Sequence, residues 1–263
     1  MNEPTLRATT TRSALLACSN EWLQPNRFKD YCPNGLQVEG SAQVRSLVSG
    51  VTASLALIEA AIEHGADAIL VHHGLFWRGQ DATITGWMRE RVAKLIENNI
   101  NLIAYHLPLD AHEQYGNNAQ LALQLGLQTQ STFGDQNLGH LGVNLDPLSQ
   151  HNFTTANLAA RVSKALGKEP LVIDPSPGRT LQNIAWCTGG AQSWFEDAIK
   201  AGADAFITGE ISEPQAHLAR ESGVAFLACG HHATERGGAR ALGEALAQKF
   251  EINHLFIDIN NPA

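Results

Sequence analysis

Three short segments concentrate imidazole and carboxylate groups, each just after an apolar run: Val71-His72-His73-Gly74, His106-Leu107-Pro108-Leu109-Asp110-Ala111-His112, and Gly230-His231-His232-Ala233-Thr234-Glu235. Imidazole with carboxylate suits zinc, iron, manganese or nickel, and the absence of thiolate argues against a purely structural zinc site. Adjacent histidines on a strand normally point to opposite faces, but a sharp turn at Gly74 would let His72 and His73 converge on a metal pair. His231 and Glu235 are four apart at an expected helix start, where both side chains share one face. The candidate ligands are therefore His72, His73, Asp110, His231 and Glu235. Each has an ordinary reading as well. A His-His pair is common in surface or core, Glu235 suits the first turn of a helix dipole, and Asp110 suits an N-cap or turn. The conjunction of three such clusters at strand ends is what points to metal.

Other polar groups carry less. Glu213 and His217 are also four apart and read as an exposed helix face. His64, His140, His151 and His254 stand alone and receive no chemistry. Gly189-Gly190 could cradle a phosphate, although a tight turn is the simpler reading. His106 and His112 lie close enough in sequence to Asp110 to be candidates for orienting the ligands.

The elements that must position these residues alternate between strand and helix. Residues 44–51 read as a strand. Leu55, Ile58 and Ile62 have helical spacing, with Gly65 placed to end that helix. Residues 68–71 read as a strand, 85–98 as a helix, 102–105 as a strand, and 117–125 as a helix. The stretch 132–180 is less regular, with a helix over 155–166 and a turn at 175–178. The second half then echoes the first at an offset of 137: residues 61–70 (AIEHGADAIL) match 198–207 (AIKAGADAFI), and Val51-Thr52-Ala53 falls on Thr188-Gly189-Gly190. A strand at 225–228 follows, as 102–105 does in the first copy. G-A-D-A is a common helix-to-strand joint, but the match covers the flanking elements too. The expected fold is α/β: two similar α/β domains from an internal duplication, with mixed sheets flanked by helices. The first unit takes 1–130 with 230–263 and most of the metal site, and the second takes 131–229. Ligands of such sheets sit at the carboxyl ends of strands, where the three clusters fall.

Bulk properties remove several function classes. With 263 residues, 44% hydrophobic and 17% charged, the chain has the material for one or two ordinary cores. A net charge of −8 disfavours a protein that mainly grips nucleic-acid backbones. No apolar run reaches the roughly 18–20 residues of a membrane helix, and residues 1–23 lack the apolar stretch of a secretory leader. Cys18, Cys32, Cys187 and Cys229 are scattered and read as reduced, buried thiols, which predicts a cytoplasmic protein.

Several segments together resemble the family related to the yeast Ngg-interacting factor three, whose bacterial members are known as GTP cyclohydrolase I type 2 homologs. They are Asn34-Gly35-Leu36-Gln37-Val38, Val71-His72-His73-Gly74, His106-Leu107-Pro108-Leu109-Asp110, Gly116-Asn117-Asn118 and Gly230-His231-His232-Ala233-Thr234-Glu235. The resemblance implies two similar α/β domains, ring-shaped homohexamers, and two divalent metal ions per chain. It places His73 and Asp110 on one ion, His72 and His231 on the other, and Glu235 as the bridge. Many members carry Thr-Asn-Leu-Asp where this chain has Leu107-Pro108-Leu109-Asp110; the aspartate is kept, so the metal assignment stands while substrate contacts there differ. A bridged metal pair suits hydrolysis, because it lowers the pKa of water and clamps a developing oxyanion. The implied function is a metal-dependent hydrolase of a small, nucleotide-like substrate, with GTP suggested by the family name alone. The alternative is a non-catalytic metal-binding or metal-handling protein acting through partners. Iron, zinc, manganese and nickel all remain open.

Overall fold

The computed structural model describes residues 8–146 and 152–263. The isolated His151 and the first seven residues of the chain lie outside the described residues. The chain runs β1 (Thr10–Thr11), α1 (Arg12–Leu23), β2 (Gly35–Val38), β3 (Gln43–Val44), β4 (Ser46–Thr52), α2 (Leu55–Glu63), β5 (Ala68–His73), α3 (Gly86–Glu97), β6 (Asn101–Ala104), α4 (Leu107–Ala111) and α5 (Asn117–Leu125). It continues through β7 (Leu127–Phe133), β8 (Gly139–Asn144), α6 (Thr155–Leu166), β9 (Leu171–Ile173), β10 (Ile184–Trp186), α7 (Phe195–Lys200), β11 (Ala205–Thr208), α8 (Glu213–Ser222), β12 (Ala225–Ala228), α9 (His231–Phe250) and β13 (Asn253–Phe256). Two compact units result: Met1–Gly116 with Gly238–Asn260, and Asn117–Gly237 with Asn261–Ala263. The sequence alone placed the junctions near 130 and 229. The apolar face of α5, Leu121 and Leu125, packs into the core of the second unit together with α6.

The first unit holds a sheet in the order β13-β4-β5-β6-β2, parallel except for β2 at its edge. Its central strands are nearly continuous apolar runs because both faces are covered. Val48, Ile69 and Leu102 face Leu57 and Ile58 of α2 and Val92 and Leu95 of α3. Their neighbours Leu47, Leu70 and Ile103 face the other way, onto Leu15 of α1 and Leu242 and Leu246 of α9. The second unit holds a sheet in the order β7-β8-β10-β11-β12-β9, with β10, β11 and β12 parallel and the other pairings antiparallel. One face packs Trp186, Ile207 and Leu227 on α5 and α6; the other packs Phe206 and Phe226 on Phe195 of α7.

Most expected elements appear where the spacing put them. Thr85 and Asn98 are the caps of α3 rather than members of it, and the strand expected over 68–71 continues through His73. Two strands were not expected: β8 lies within the irregular stretch, and β7 mostly precedes it. β7 is polar and exposed over most of its length, so it shows none of the alternation that marks a half-buried strand.

The echo at offset 137 extends to hydrogen bonds. Leu47 pairs with Ala68 and Val48 with Ile69; Ile184 pairs with Ala205 and Ala185 with Phe206. Asp67 Oδ2 accepts from the backbone N–H of Arg45 at 2.8 Å and Ser46 at 3.0 Å. Asp204 Oδ2 accepts from Gln182 at 2.8 Å and Asn183 at 2.9 Å. In both units a single buried-edge carboxylate thus fixes the start of one strand against its neighbour, a charge-assisted bond of the stronger kind.

Candidate metal centre

In the first unit, β5 and β6 end side by side, and their ends carry the polar groups. His72 is fully buried, and its Nδ1 meets the carbonyl of Tyr105 at 3.0 Å. That bond fixes the ring and leaves Nε2 as the atom that would meet an ion, 3.5 Å from Asp110 Oδ1. His73 is held in the same way, through Nδ1 and Thr52 Oγ1 at 3.1 Å. Despite sitting next to each other on one strand, the two rings lie with centroids 4.5 Å apart. Asp110 is buried in the one-turn helix α4, its N–H bonded to the carbonyl of His106. It is not the N-cap, a place taken by His106.

In the second unit, α9 begins at His231, immediately after β12. Helical geometry puts Glu235 one turn on, with Oε2 3.2 Å from His231 Nε2. Glu235 is 3% exposed, which an ordinary first-turn glutamate would not be. His231 Nδ1 lies 2.6 Å from Glu210 Oε1, and Glu210 Oε2 accepts from Gln192 Nε2 at 3.2 Å. Burial opposes a charge on His231, but the carboxylates of Glu235 and Glu210 outweigh it and raise its pKa to about 9. This pocket of donors therefore favours a positive charge, which a proton supplies in the metal-free chain.

The Thr188-Gly189-Gly190 turn closes over this cluster. A Cβ on Gly189, whose φ is +70°, would stand 2.1 Å from Glu235 Oε1 and 3.2 Å from His231 Nε2, so any side chain here would be strained and would displace the Glu235 carboxylate. Two of the turn's donors are spent on protein, Gly189 N–H on Thr234 Oγ1 at 3.1 Å and Ala191 N–H on Thr208 Oγ1 at 3.2 Å, as suits a tight turn.

The residues fit a divalent ion. Within each unit the donors are nitrogen and oxygen without thiolate: His72 and His73 with the buried Asp110 in the first, and His231 with the buried Glu235 in the second, each ring held through Nδ1 by a protein oxygen. Burial, with Asp30 adding to it, pushes the nearby Cys32 thiol up to about 12, which keeps it protonated.

Glu213 and His217 form an exposed 3.0 Å pair on α8. His140 stacks on Trp186, and His254 Nε2 meets Ser49 Oγ at 2.8 Å. His112 accepts the N–H groups of Gln114 and Tyr115 and stacks on Tyr115, which makes it a loop clasp rather than a partner of the ligands. His106 does join the cluster, with its ring 5.0 Å from that of His72. Three residues escaped sequence reasoning. Asp30 and Thr52 hold histidines far away in sequence and carry no local signal. Glu210 did have one, since it stands 137 residues after His73 and so occupies the matching place in the echo.

Fold and clusters together define a mixed α/β protein with histidine–carboxylate groups suited to divalent metal. The family model described as Duf34/NIF3 (NGG1p interacting factor 3) matches residues 10–262, and the chain belongs to that family. It is 50% identical over 257 residues to the GTP cyclohydrolase 1 type 2 homolog of Pseudomonas aeruginosa, covering 95% of this chain and 98% of that one. The Escherichia coli K12 protein of the same name is 47% identical over 249 residues, 93% of this chain and 96% of the relative. Among solved structures, protein ybgI, described as of unknown function, matches with a TM-score of 0.91 at 46% identity over 97% of this chain and all (100%) of the other. TTHA1606 from Thermus thermophilus gives 0.87 at 32%, with 97% and 100% covered. Among the described residues no helix is long and apolar enough to cross a membrane.

Proposed function

We propose that the chain holds two divalent metal ions through His72, His73, Asp110, His231 and Glu235, and uses them to hydrolyse a small, nucleotide-like substrate. In the assignment that the family resemblance implies, His73 and Asp110 would hold one ion, His72 and His231 the other, and Glu235 would serve both. The observation that carries the metal reading is the common mounting of His72, His73 and His231, each hydrogen-bonded through Nδ1 to a protein oxygen. That is how proteins set the tautomer and direction of a metal-binding imidazole. When bound, such a pair supplies an activated water and a clamp for a developing oxyanion. The chain's own part is to hold the rings and carboxylates in place before any ion arrives. The relatives' name supports a cyclohydrolase-like reaction on a purine nucleotide as the first substrate class to try. The protein acts in this reading as a cytoplasmic homohexamer, which light scattering tests; the mass of a single chain at micromolar concentration would refute it.

The decisive experiment loads purified protein with iron, zinc, manganese or nickel and screens nucleotides and phosphoesters, with Glu235→Ala and a chelator as controls. Turnover that vanishes in both controls supports the hydrolase. Stable binding of metal without turnover across metals and substrates favours the second reading, a metal-binding or metal-handling protein that works through partners.

A further inference from the structure

His106 stands outside the five ligands above, yet it is mounted as they are. Its Nδ1 lies 2.7 Å from Asp30 Oδ1, so Nε2 is again the nitrogen left to face outward. One donor nitrogen each from His72, His73 and His106 lies within 4.8 Å of the others. The ring centroids are 4.5 Å apart for His72–His73, 5.0 Å for His72–His106 and 5.8 Å for His73–His106. Three nitrogens sharing one ion, with bonds of about 2.1 Å, stand about 3.5 Å apart. From within 4.8 Å of one another, the three rings reach that spacing by side-chain rotations that draw the nitrogens together by up to about 1.3 Å.

The support behind His106 is extensive. The Asp30 side chain is 4% exposed. Besides the His106 ring, it accepts from Asn34 Nδ2 at 2.9 Å, from Leu107 N–H at 2.9 Å and from Tyr31 N–H at 2.6 Å. Asn34 Oδ1 in turn accepts the backbone N–H of His106 at 2.8 Å. Burial works against a charged Asp30, but these bonds, led by His106, hold its pKa at about 2. The ring is thus fixed from its side chain and from its main chain. An ordinary reading exists, since His106 also packs edge-on against Trp77 at 5.0 Å. Packing alone does not call for a buried carboxylate behind the ring.

We propose that His106 is a further ligand on the His72–His73 side of the metal centre, with Asp30 as the positioning residue that directs it. This rests on the metal reading above and adds a sixth ligand to it. The ordinary partner set of the family resemblance would then describe the site incompletely for this chain.

The test is a titration of the metal-free full-length protein with Co2+, read by visible absorption and by elemental analysis. The variants are His106→Ala, His106→Gln and Asp30→Asn, each checked for folding by urea denaturation. Wild type is expected to take up to two ions. Both His106 variants are expected to weaken one of them at least tenfold and to shift the Co2+ bands, because a nitrogen donor is lost. Asp30→Asn keeps the nitrogen; it is expected to weaken the same ion about 10–100-fold, the range for removing an orienting partner, with the bands in place. Wild-type affinity and spectrum in a folded His106→Ala would overturn the proposal while leaving the five-ligand centre standing. Wild type that takes up no Co2+ at all would overturn both. A loss of stability in the variants without change in affinity or spectrum would assign His106 to packing and also overturn it.

Discussion

Replacing Gly189 by alanine isolates the contact that closes the second-unit cluster. The new Cβ would lie 2.1 Å from Glu235 Oε1. Ordinary contact begins near 3.4 Å, so 3.4 − 2.1 = 1.3 Å of movement is required, from a carboxylate already buried in place. Metal–ligand distances tolerate about 0.2 Å, so the shift exceeds the tolerance several-fold. Gly189 also has a φ of +70°, where a side chain costs about 1–2 kcal/mol. Gly202 supplies the control. Its φ is +86°, and a Cβ there meets nothing within 4 Å, so Gly202→Ala bears the backbone cost without the contact. The expected result is that both variants lose about 1–2 kcal/mol by urea denaturation, with Gly189→Ala the worse. Only Gly189→Ala should lose metal by elemental analysis. Full metal content in Gly189→Ala, or equal losses in the two, would refute the argument that Glu235 and this turn form one close-fitted part of a metal site.

Glu235→Ala should leave the chain close to metal-free, since a lost bridge releases both ions, whereas His72→Ala or His73→Ala should retain an intermediate amount; a merely dipole-stabilising glutamate would cost about 0.3–1 kcal/mol and leave metal untouched. Asp204→Ala removes the acceptor for two backbone N–H groups and should cost about 2–4 kcal/mol in urea denaturation, with Asp67→Ala behaving alike at the matching place in the other unit. Burial pushes His140 down to about 4, and burial with Arg240 does the same for His254. Each is neutral when folded and would take a proton when unfolded, so its contribution is full above about pH 6.5 and falls as pH drops toward 4, by at most about 3 kcal/mol per ring. Denaturation curves at pH 7 and pH 4.5 should show that loss, reduced in a His254→Asn variant.

The five candidate ligands and the elements behind them were legible because the signals are local. Apolar runs gave β5, β6 and β12 almost to the residue, and the four-residue spacing of His231 and Glu235 needed only the helix that starts there. Even the echo of residues 61–70 in 198–207 was visible, and carried three residues further it would have led from His73 to Glu210. What stayed hidden depends on contacts between distant segments. Asp30 meets His106 across 76 residues, and nothing in the loop around it distinguishes this aspartate from any other. The strands β7 and β8 were hidden for another reason: β7 sits at the sheet edge with its side chains in solvent, so pairing with β8, not burial, holds it in place.

The paired aspartates Asp67 and Asp204 sit at the strand beginnings, while the histidines and glutamates sit at the strand ends. Alignment is thereby settled at one end of each strand and chemistry at the other, about 13–20 Å away for strands of four to six residues. A framework arranged in this way can trade its reactive groups without re-registering its sheets, and the matching positions 73 and 210 carry a histidine and a glutamate. The same separation makes this chain a promising host for installed ligands: exchanging residues at positions 73 and 210 alters what the strand ends attract while leaving intact the bonds that hold the strands in line.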